Sequence, residues 1–442
     1  MTKKLTPIQV LVGGYILVVL TGTILLSLPI ASSKGIHQPL VDALFVAVSG
    51  ISTTGLTPVD IGSFYSLFGQ IVLLIIFQIG GISYTTFFIF IMYTLGLRLN
   101  LVPKIVVKES MAGTTIGDIF KFFRRVAIFT FLFEFAGAVI LALYWLNEFS
   151  ISRSIYLGIY HSIAAFCTAG FGLFPDNLVS YQKNIGINWT INIVSLAGGI
   201  GFFVLYDLYT LCKKTIKREY PRRLSVHSKL AIIVTIVVIL IGTLIVFSSE
   251  KWSSSLSLRD KLLGSSFQAI SASTTDGFNT IDIGAMSPTS LFMLILLMFI
   301  GASPGSTGGG IKTTTLGVIL LSIWAHLNKK DVNIFRRRIS ADTINSAFAI
   351  FSWFCIIMVI DVLILTFTEN APFLQIFFEI VSALGNTGLS TGITSKLSDI
   401  AKVMLTITMF VGRVGPLAIG FSLIGKPKPL LFRYAEEEVF VG

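Results

Sequence analysis

Charge is scarce in these 442 residues: Asp, Glu, Lys and Arg make up 12%, against 54% hydrophobic residues. A soluble domain needs far more polar surface than that, so the balance excludes one. Mean hydropathy is +0.85, and apolar runs recur from near the N-terminus to Ile424. The chain reads as a polytopic membrane protein. Cysteine is almost missing too. Cys167, Cys212 and Cys355 lie far apart with no Cys-x-x-Cys pair, which excludes a disulfide framework and a zinc site. The four histidines, at 37, 161, 227 and 326, are equally scattered. No His, Asp or Glu constellation stands at catalytic spacing, so an enzyme is not expected. Nucleotide binding lacks its motifs: Gly310-Ile311-Lys312 has no adjacent Gly-Lys, Gly425-Lys426 is followed by Pro427, and no strand leads into G-x-G-x-x-G.

The formal charge of +11 is placed for a membrane surface rather than for nucleic acid. Of the 33 lysines and arginines, 23 fall in five clusters: residues 3–4, 98–125, 213–229, 329–338 and 426–433. Positive clusters stay on the cytoplasmic side, which demands an even number of crossings between them. Two per segment gives eight, with both termini cytoplasmic. The clusters would meet acidic lipid there. The apolar run 8–30 is too long for a signal peptide and reads as an uncleaved first span, with no span before it.

A short glycine-bearing turn occurs four times, each after a brief apolar run: Ser52-Thr53-Thr54-Gly55-Leu56, Cys167-Thr168-Ala169-Gly170-Phe171, Thr274-Thr275-Asp276-Gly277-Phe278 and Gly385-Asn386-Thr387-Gly388-Leu389. The central glycines are 115, 107 and 111 residues apart, a fourfold internal repeat. The preceding runs (39–50, 160–166, 262–273, 373–384) are too short to cross a hydrocarbon core of about 30 Å, so each should enter and return. Irregular backbone at that depth must be buried in protein or line a water-filled path. Four turns about one axis would offer a ring of carbonyls to a dehydrated alkali cation, and each short helix would aim its negative C-terminal end at it. The expected fold is all-α, with four repeats of helix, re-entrant pore helix and helix around a central pore: residues 1–98, 99–212, 213–328 and 329–442. Expected second spans include 64–97, 187–211 and 400–424.

The third repeat differs. Gly301, Gly305, Gly308, Gly309, Gly310 and Pro304 interrupt its last apolar run, and Ile311-Lys312-Thr313-Thr314-Thr315 follows. Such a run must break a helix. Residues 302–315 are read as a flexible, weakly packed plug beneath the turns, with a purely structural hinge as the bland alternative. Arg413 lies deep in the last apolar run, where a charge needs a cavity or a partner. It is read as a positive barrier under the turns or a partner of the loop, the alternative being a pair with Glu134 or Asp361. Asp42, Glu379 and Asp260 read as caps or as cation attractors at the outer mouth. Asp276 is expected to turn aside and bond to backbone, the alternative being contact with ions.

The four turns, the Gly305-Ser306-Thr307-Gly308-Gly309-Gly310-Ile311-Lys312 loop and Val411-Gly412-Arg413-Val414-Gly415-Pro416 resemble the Trk/Ktr/HKT superfamily of potassium transporters over essentially the whole chain. Within it the chain is most similar to the bacterial KtrB-type membrane subunit. The resemblance implies a multi-pass protein of the bacterial plasma membrane that takes up potassium, with no cofactor and with sodium as a candidate stimulating ion. It implies a homodimer with one pore per protomer, and a cytoplasmic octameric ring of nucleotide-binding regulatory subunits as separate chains. The filter would be Thr53, Thr54, Gly55, Thr168, Ala169, Gly170, Thr275, Asp276, Gly277, Asn386, Thr387 and Gly388. The gate would be Gly305, Ser306, Thr307, Gly308, Gly309, Gly310 and Lys312, with Arg413. Gly55 favours potassium over sodium, while Asp276 and the unequal turns argue against strict selectivity. The rivals are a sodium-permeable transporter of the same fold and an organic-solute symporter, for which paired helix breaks are the expected mark.

Overall fold

A computed structural model describes residues 7–82, 116–220 and 223–415 of the chain. These residues are mostly helical. In chain order the helices are α1 (Pro7–Ser27), α2 (Leu40–Ile51), α3 (Ile61–Phe64), α4 (Leu67–Gly81), α5 (Ile116–Trp145), α6 (Ile151–Phe166), α7 (Ile185–Gly199), α8 (Phe202–Ile216), α9 (Val226–Ser249), α10 (Leu258–Thr274), α11 (Pro288–Ile300), α12 (Thr313–Leu327), α13 (Ala341–Thr368), α14 (Phe373–Leu384) and α15 (Asp399–Val414). A two-residue antiparallel pair, β1 (Asn333–Ile334) with β2 (Arg337–Arg338), sits in the basic connection before α13. The ends of the 64–97 and 400–424 spans, the 3–4 and 426–433 clusters, and most of the 98–125 cluster lie outside the described residues.

Serine fixes many helix starts. Ser66, Ser225, Ser257, Ser287, Ser340 and Ser398 each cap a helix by accepting a backbone N–H three residues on, and Ser257 with Asp260 forms a full capping box. Asp260 is thus a cap, as expected. Three helices among the described residues are long and apolar enough to cross a membrane: Arg124–Trp145, Val226–Ser249 and Ala341–Thr368. Their outer faces expose Phe131, Leu240 and Leu363, as lipid contact requires.

The packing closes on itself. Each short helix (α2, α6, α10, α14) packs against the long helix before it: α1, α5, α9 and α13 respectively. It also packs against the helix that follows the previous turn: α4 on α6, α7 on α10, α11 on α14, and α15 back on α2. The buried core follows that closed path, joining Phe45, Phe77, Phe166, Phe267 and Met409.

Two expectations change. The span 187–211 is not continuous: α7 and α8 meet at 98°. The cause is local. Gly201 takes φ +98°, which releases the Gly199 carbonyl to Ser303 N (3.0 Å) and turns Phe202 N to the Gly305 carbonyl (2.9 Å). The break in the third repeat therefore has a partner, and the number of breaks does not by itself separate an ion pathway from a symporter. The loop is also shorter than 302–315: α12 begins at Thr313, with Lys312 at its N-cap position.

Closure of α15 on α2 includes an ion pair. Lys402 Nζ lies 2.7 Å from Asp42 Oδ1, with side chains only 11% and 16% exposed, so Asp42 holds a helix rather than attracting ions. Removing one partner of a buried pair costs about 3 kcal/mol or more. Lys402→Met is expected to lower the thermal unfolding midpoint of the detergent-solubilised protein, and Lys402→Met/Asp42→Leu to recover most of the loss. Equal midpoints for the single variant and the parent would mean that the pair does not hold the closure.

Candidate ion pathway and the loop across it

The four turns share one backbone conformation. Thr53, Thr168, Thr275 and Asn386, at the ends of α2, α6, α10 and α14, have φ of +54°, +51°, +56° and +52°. Two residues later come Gly55, Gly170, Gly277 and Gly388, at +93°, +65°, +86° and +91°. Between them an N–H reaches back to its helix at 2.8 Å in every case: Thr54 to Ser49 O, Ala169 to Ala164 O, Asp276 to Ser271 O and Thr387 to Ser382 O. This is the six-to-one closure of a helix C-terminus, made here mostly by β-branched residues in the left-handed region. Each left-handed non-glycine costs roughly 1–2 kcal/mol, so the surroundings must enforce it.

The glycines interlock the turns. A Cβ on Gly55 would strike the Ala169 carbonyl oxygen; on Gly170, the Asp276 oxygen (2.7 Å); on Gly277, the Thr387 oxygen; and on Gly388, the Thr54 oxygen. Each turn thus lays the carbonyl before its own glycine against the glycine of another turn, and the fourth returns to the first. On one side of this ring lies a cavity of about 290 Å³ lined by Gly55, Gly170, Gly388, Asp60, Asn177 and Ser390 among others. Glu379, fully buried, holds that rim by accepting from Ser390 Oγ (2.6 Å), Thr391 N (2.9 Å) and Thr394 Oγ1 (2.8 Å). It is a strut, not a cation attractor at the mouth.

The opposite face is covered by residues 307–309. Thr307 O accepts from Thr53 Oγ1 (3.1 Å) and from Arg413, Thr307 Oγ1 meets Thr168 Oγ1 (3.1 Å), and Thr275 Oγ1 accepts from Gly309 N (2.9 Å). A Cβ on Gly309 would lie 2.8 Å from Asn386 Oδ1. Three consecutive residues therefore touch the left-handed residue of all four turns.

The loop is well anchored, contrary to a weakly packed plug. Thr307 N bonds to Gly198 O (3.2 Å), Ala302 N to Gly309 O (3.1 Å) and Lys312 N to Ile300 O (2.9 Å), and Lys312 Nζ caps Gly308 O (2.6 Å) and Gly309 O (3.1 Å). Only Gly305 is exposed, with Pro304, Ser306 and Lys312 half-buried. Glycine-rich backbone that cannot reach water has to be hydrogen-bonded internally, which is why the loop is ordered.

A second glycine register was not read from the sequence. Gly80, Gly198, Gly308 and Gly412 each face a carbonyl near the end of a short helix, those of Ile51, Phe166, Thr274 and Leu384. The next residues Gly81, Gly199 and Gly309 abut Cys167, Thr274 and Gly385 of the following turn. The fourth member of that series is Arg413. Its signal was visible in the adjacent pairs Gly80-Gly81, Gly198-Gly199 and Gly308-Gly309. Arg413 donates to the carbonyls of Thr307 and Gly80 (2.5 Å), so it is a partner of the loop. The carboxylates weighed for it are engaged elsewhere: Glu134 accepts from Gln78 (2.9 Å) and Asp361 from Thr408 (2.8 Å).

Asp276 departs from expectation. It is 1% exposed, and neither carboxyl oxygen has a hydrogen-bond partner among the described residues. Its own amide is committed to Ser271. Thr54, the corresponding residue of the first turn, meets Ser52 Oγ at 2.6 Å and accepts from Asn386 Nδ2 at 3.0 Å.

The model of the TrkH family, described as cation transport protein, matches residues 6–432. The Ktr system potassium uptake protein B of Bacillus subtilis is 38% identical, with 99% of this chain and 97% of that one aligned. The protein of the same name from Vibrio alginolyticus is 33% identical over 98% and 94%, and the potassium/sodium uptake protein NtpJ of Enterococcus hirae 30% identical over 100% and 98%. The potassium transporter TrkH from Vibrio parahaemolyticus shares the fold, with TM-score 0.68 and 20% identity over 96% and 86% of the two chains. Helical architecture, the full-length match and these relatives agree: the chain is a membrane protein of the TrkH family of cation transporters, not an enzyme.

Proposed function

We propose that the chain is the ion-translocating membrane subunit of a Ktr-type potassium uptake system in a bacterial plasma membrane. The observation that carries this reading is the closed ring of four turns, each resting a backbone carbonyl on the glycine of another. Carbonyls replace the hydration shell of an alkali ion, and the four short helices add their C-terminal dipoles at the same place. Potassium is the cargo and needs no resident cofactor; sodium is a stimulating ion in this scheme. In the full reading there are four repeats of helix, re-entrant helix and helix, eight crossings with both termini cytoplasmic, and segment borders near residues 98, 212 and 328. The cavity of about 290 Å³ is then the outer vestibule, and residues 301–312 with Arg413 form the inner gate. The names of the relatives support a second, regulatory subunit; a homodimer on an octameric nucleotide-binding ring is the assembly we propose. No nucleic acid enters the scheme, and acidic lipid faces the basic clusters.

A sodium-permeable pathway is the second reading. It is favoured by the Enterococcus hirae relative, a potassium/sodium uptake protein, and by the unequal side chains Thr54, Ala169, Asp276 and Thr387 around the ring.

Uptake of rubidium, with sodium as competitor, into liposomes holding the purified chain tests both. Gly55→Ser drives a side chain into the Ala169 carbonyl at a backbone φ of +93°. The sodium-to-rubidium uptake ratio should rise roughly tenfold, a loss of about 1.4 kcal/mol in discrimination. An unchanged ratio would remove the turns from the filter. Parent protein that passes both ions equally would establish the second reading.

Deleting residues 303–306 tests the gate. Ring-free rubidium uptake should increase about tenfold as the blocked state loses a comparable free energy. Uptake equal to the parent's would make the loop a hinge of purely structural purpose.

A further inference from the structure

The left-handed residues of the turns have a task that carbonyl coordination does not require. An ion ring uses their backbone, whereas the side chains of the three threonines meet the loop. Thr53 Oγ1 reaches Thr307 O at 3.1 Å, Thr168 Oγ1 reaches Thr307 Oγ1 at 3.1 Å, and Thr275 Oγ1 accepts from Gly309 N at 2.9 Å. All three hydroxyl-bearing residues are fully buried. We propose that Thr53, Thr168 and Thr275 are positioning residues that latch residues 307–309 to the turns, so that loop state and turn conformation form one equilibrium. The inference rests on the reading of the turns as a filter and the loop as its gate, and deepens it.

Hydroxyl valence makes the latch releasable. Thr53 Oγ1 also sits 2.7 Å from Ser52 O, and Thr168 Oγ1 2.7 Å from Cys167 O. Each hydroxyl has one proton to donate. At Thr53 that proton is shared between Ser52 O and Thr307 O. When the loop leaves, it passes wholly to Ser52, and Thr168 likewise keeps Cys167. Neither of these two turn hydroxyls is therefore orphaned as a donor when the loop leaves. The left-handed backbone is what aims these hydroxyls inward. A right-handed residue at the same place would continue the helix and point its side chain elsewhere. The roughly 1–2 kcal/mol strain at each threonine is thus tied to the loop contact.

The test uses the purified full-length chain in liposomes without its regulatory subunit. Thr→Val removes the hydroxyl while keeping the branched shape. Thr53→Val is expected to raise ring-free rubidium flux about fivefold, the factor set by one ordinary neutral hydrogen bond. Thr53→Ser should restore the parent flux. Thr307→Val, on the loop side, should match Thr168→Val, and the double variant should exceed neither, since both remove one contact. In a Cys212→Ser/Cys355→Ser background, Ser306→Cys should react faster with a water-soluble thiol reagent when Thr53→Val is added. Flux and labelling that stay level or fall overturn the latch, as does a shifted ion ratio without faster labelling, which would make these side chains part of the filter alone. Gly55→Ser in the same preparation separates the failures: if it alters the ion ratio, the filter stands and only the latch is lost; if it does not, the filter reading itself fails.

Discussion

A backbone carbonyl pressed against the Cα of a glycine in another turn, four times over and closed upon itself, is the contact on which the rest of the protein depends. It leaves no room for a methyl group at any of the four places, and it makes each turn's position a condition for the others. The flanking helices repeat the arrangement on a larger scale, with α15 returning to α2 through the Lys402–Asp42 pair. Rigid packing of this kind is how four irregular segments can be held at membrane depth, where a single free carbonyl costs several kcal/mol.

The second glycine register explains why one arginine matters. Gly81, Gly199 and Gly309 stand where backbone meets the following turn, and a side chain there would project into the neighbouring turn. Arg413 is the fourth of this series. Its guanidinium reaches Thr307 and Gly80 because at this position the way is inward. The third repeat supplies its glycine pair from the loop instead of from α11, and this brings Thr307 across the ring. Arginine and loop are therefore two departures from one repeating pattern, and they meet each other.

Much of this was legible in the sequence. The four turns, their spacing and their glycines were plain, and the run 373–384 is the helix Phe373–Leu384. What stayed hidden was set by tertiary contact. Thr53 and Thr168 look like ordinary β-branched residues, whose propensity argues against positive φ; only the loop and the glycine contacts reveal why they adopt it. The bend at Gly201 is marked in the sequence by Gly198, Gly199 and Gly201, but the pairing with residues 303–305 that holds it comes from a hundred positions away. The loop's glycines suggested looseness, but a buried backbone with nothing else to bond satisfied itself. Asp276 was expected to find an amide, and neither of its carboxyl oxygens has a partner among the described residues.

Thr307 shows how closure acts through chemistry as well as bulk. A carbonyl oxygen has two lone pairs. In this conformation that of Thr307 accepts from both Thr53 Oγ1 and Arg413, so neither remains for an ion arriving from the ring. In the gating we propose, withdrawal of the loop removes this saturated oxygen and the arginine contact together, while the hydroxyls of Thr53 and Thr168 fall back on Ser52 O and Cys167 O. An element with two satisfied hydrogen-bond arrangements has two discrete positions rather than a continuum. In the assembly we propose, a regulatory subunit has only to favour one of the two positions.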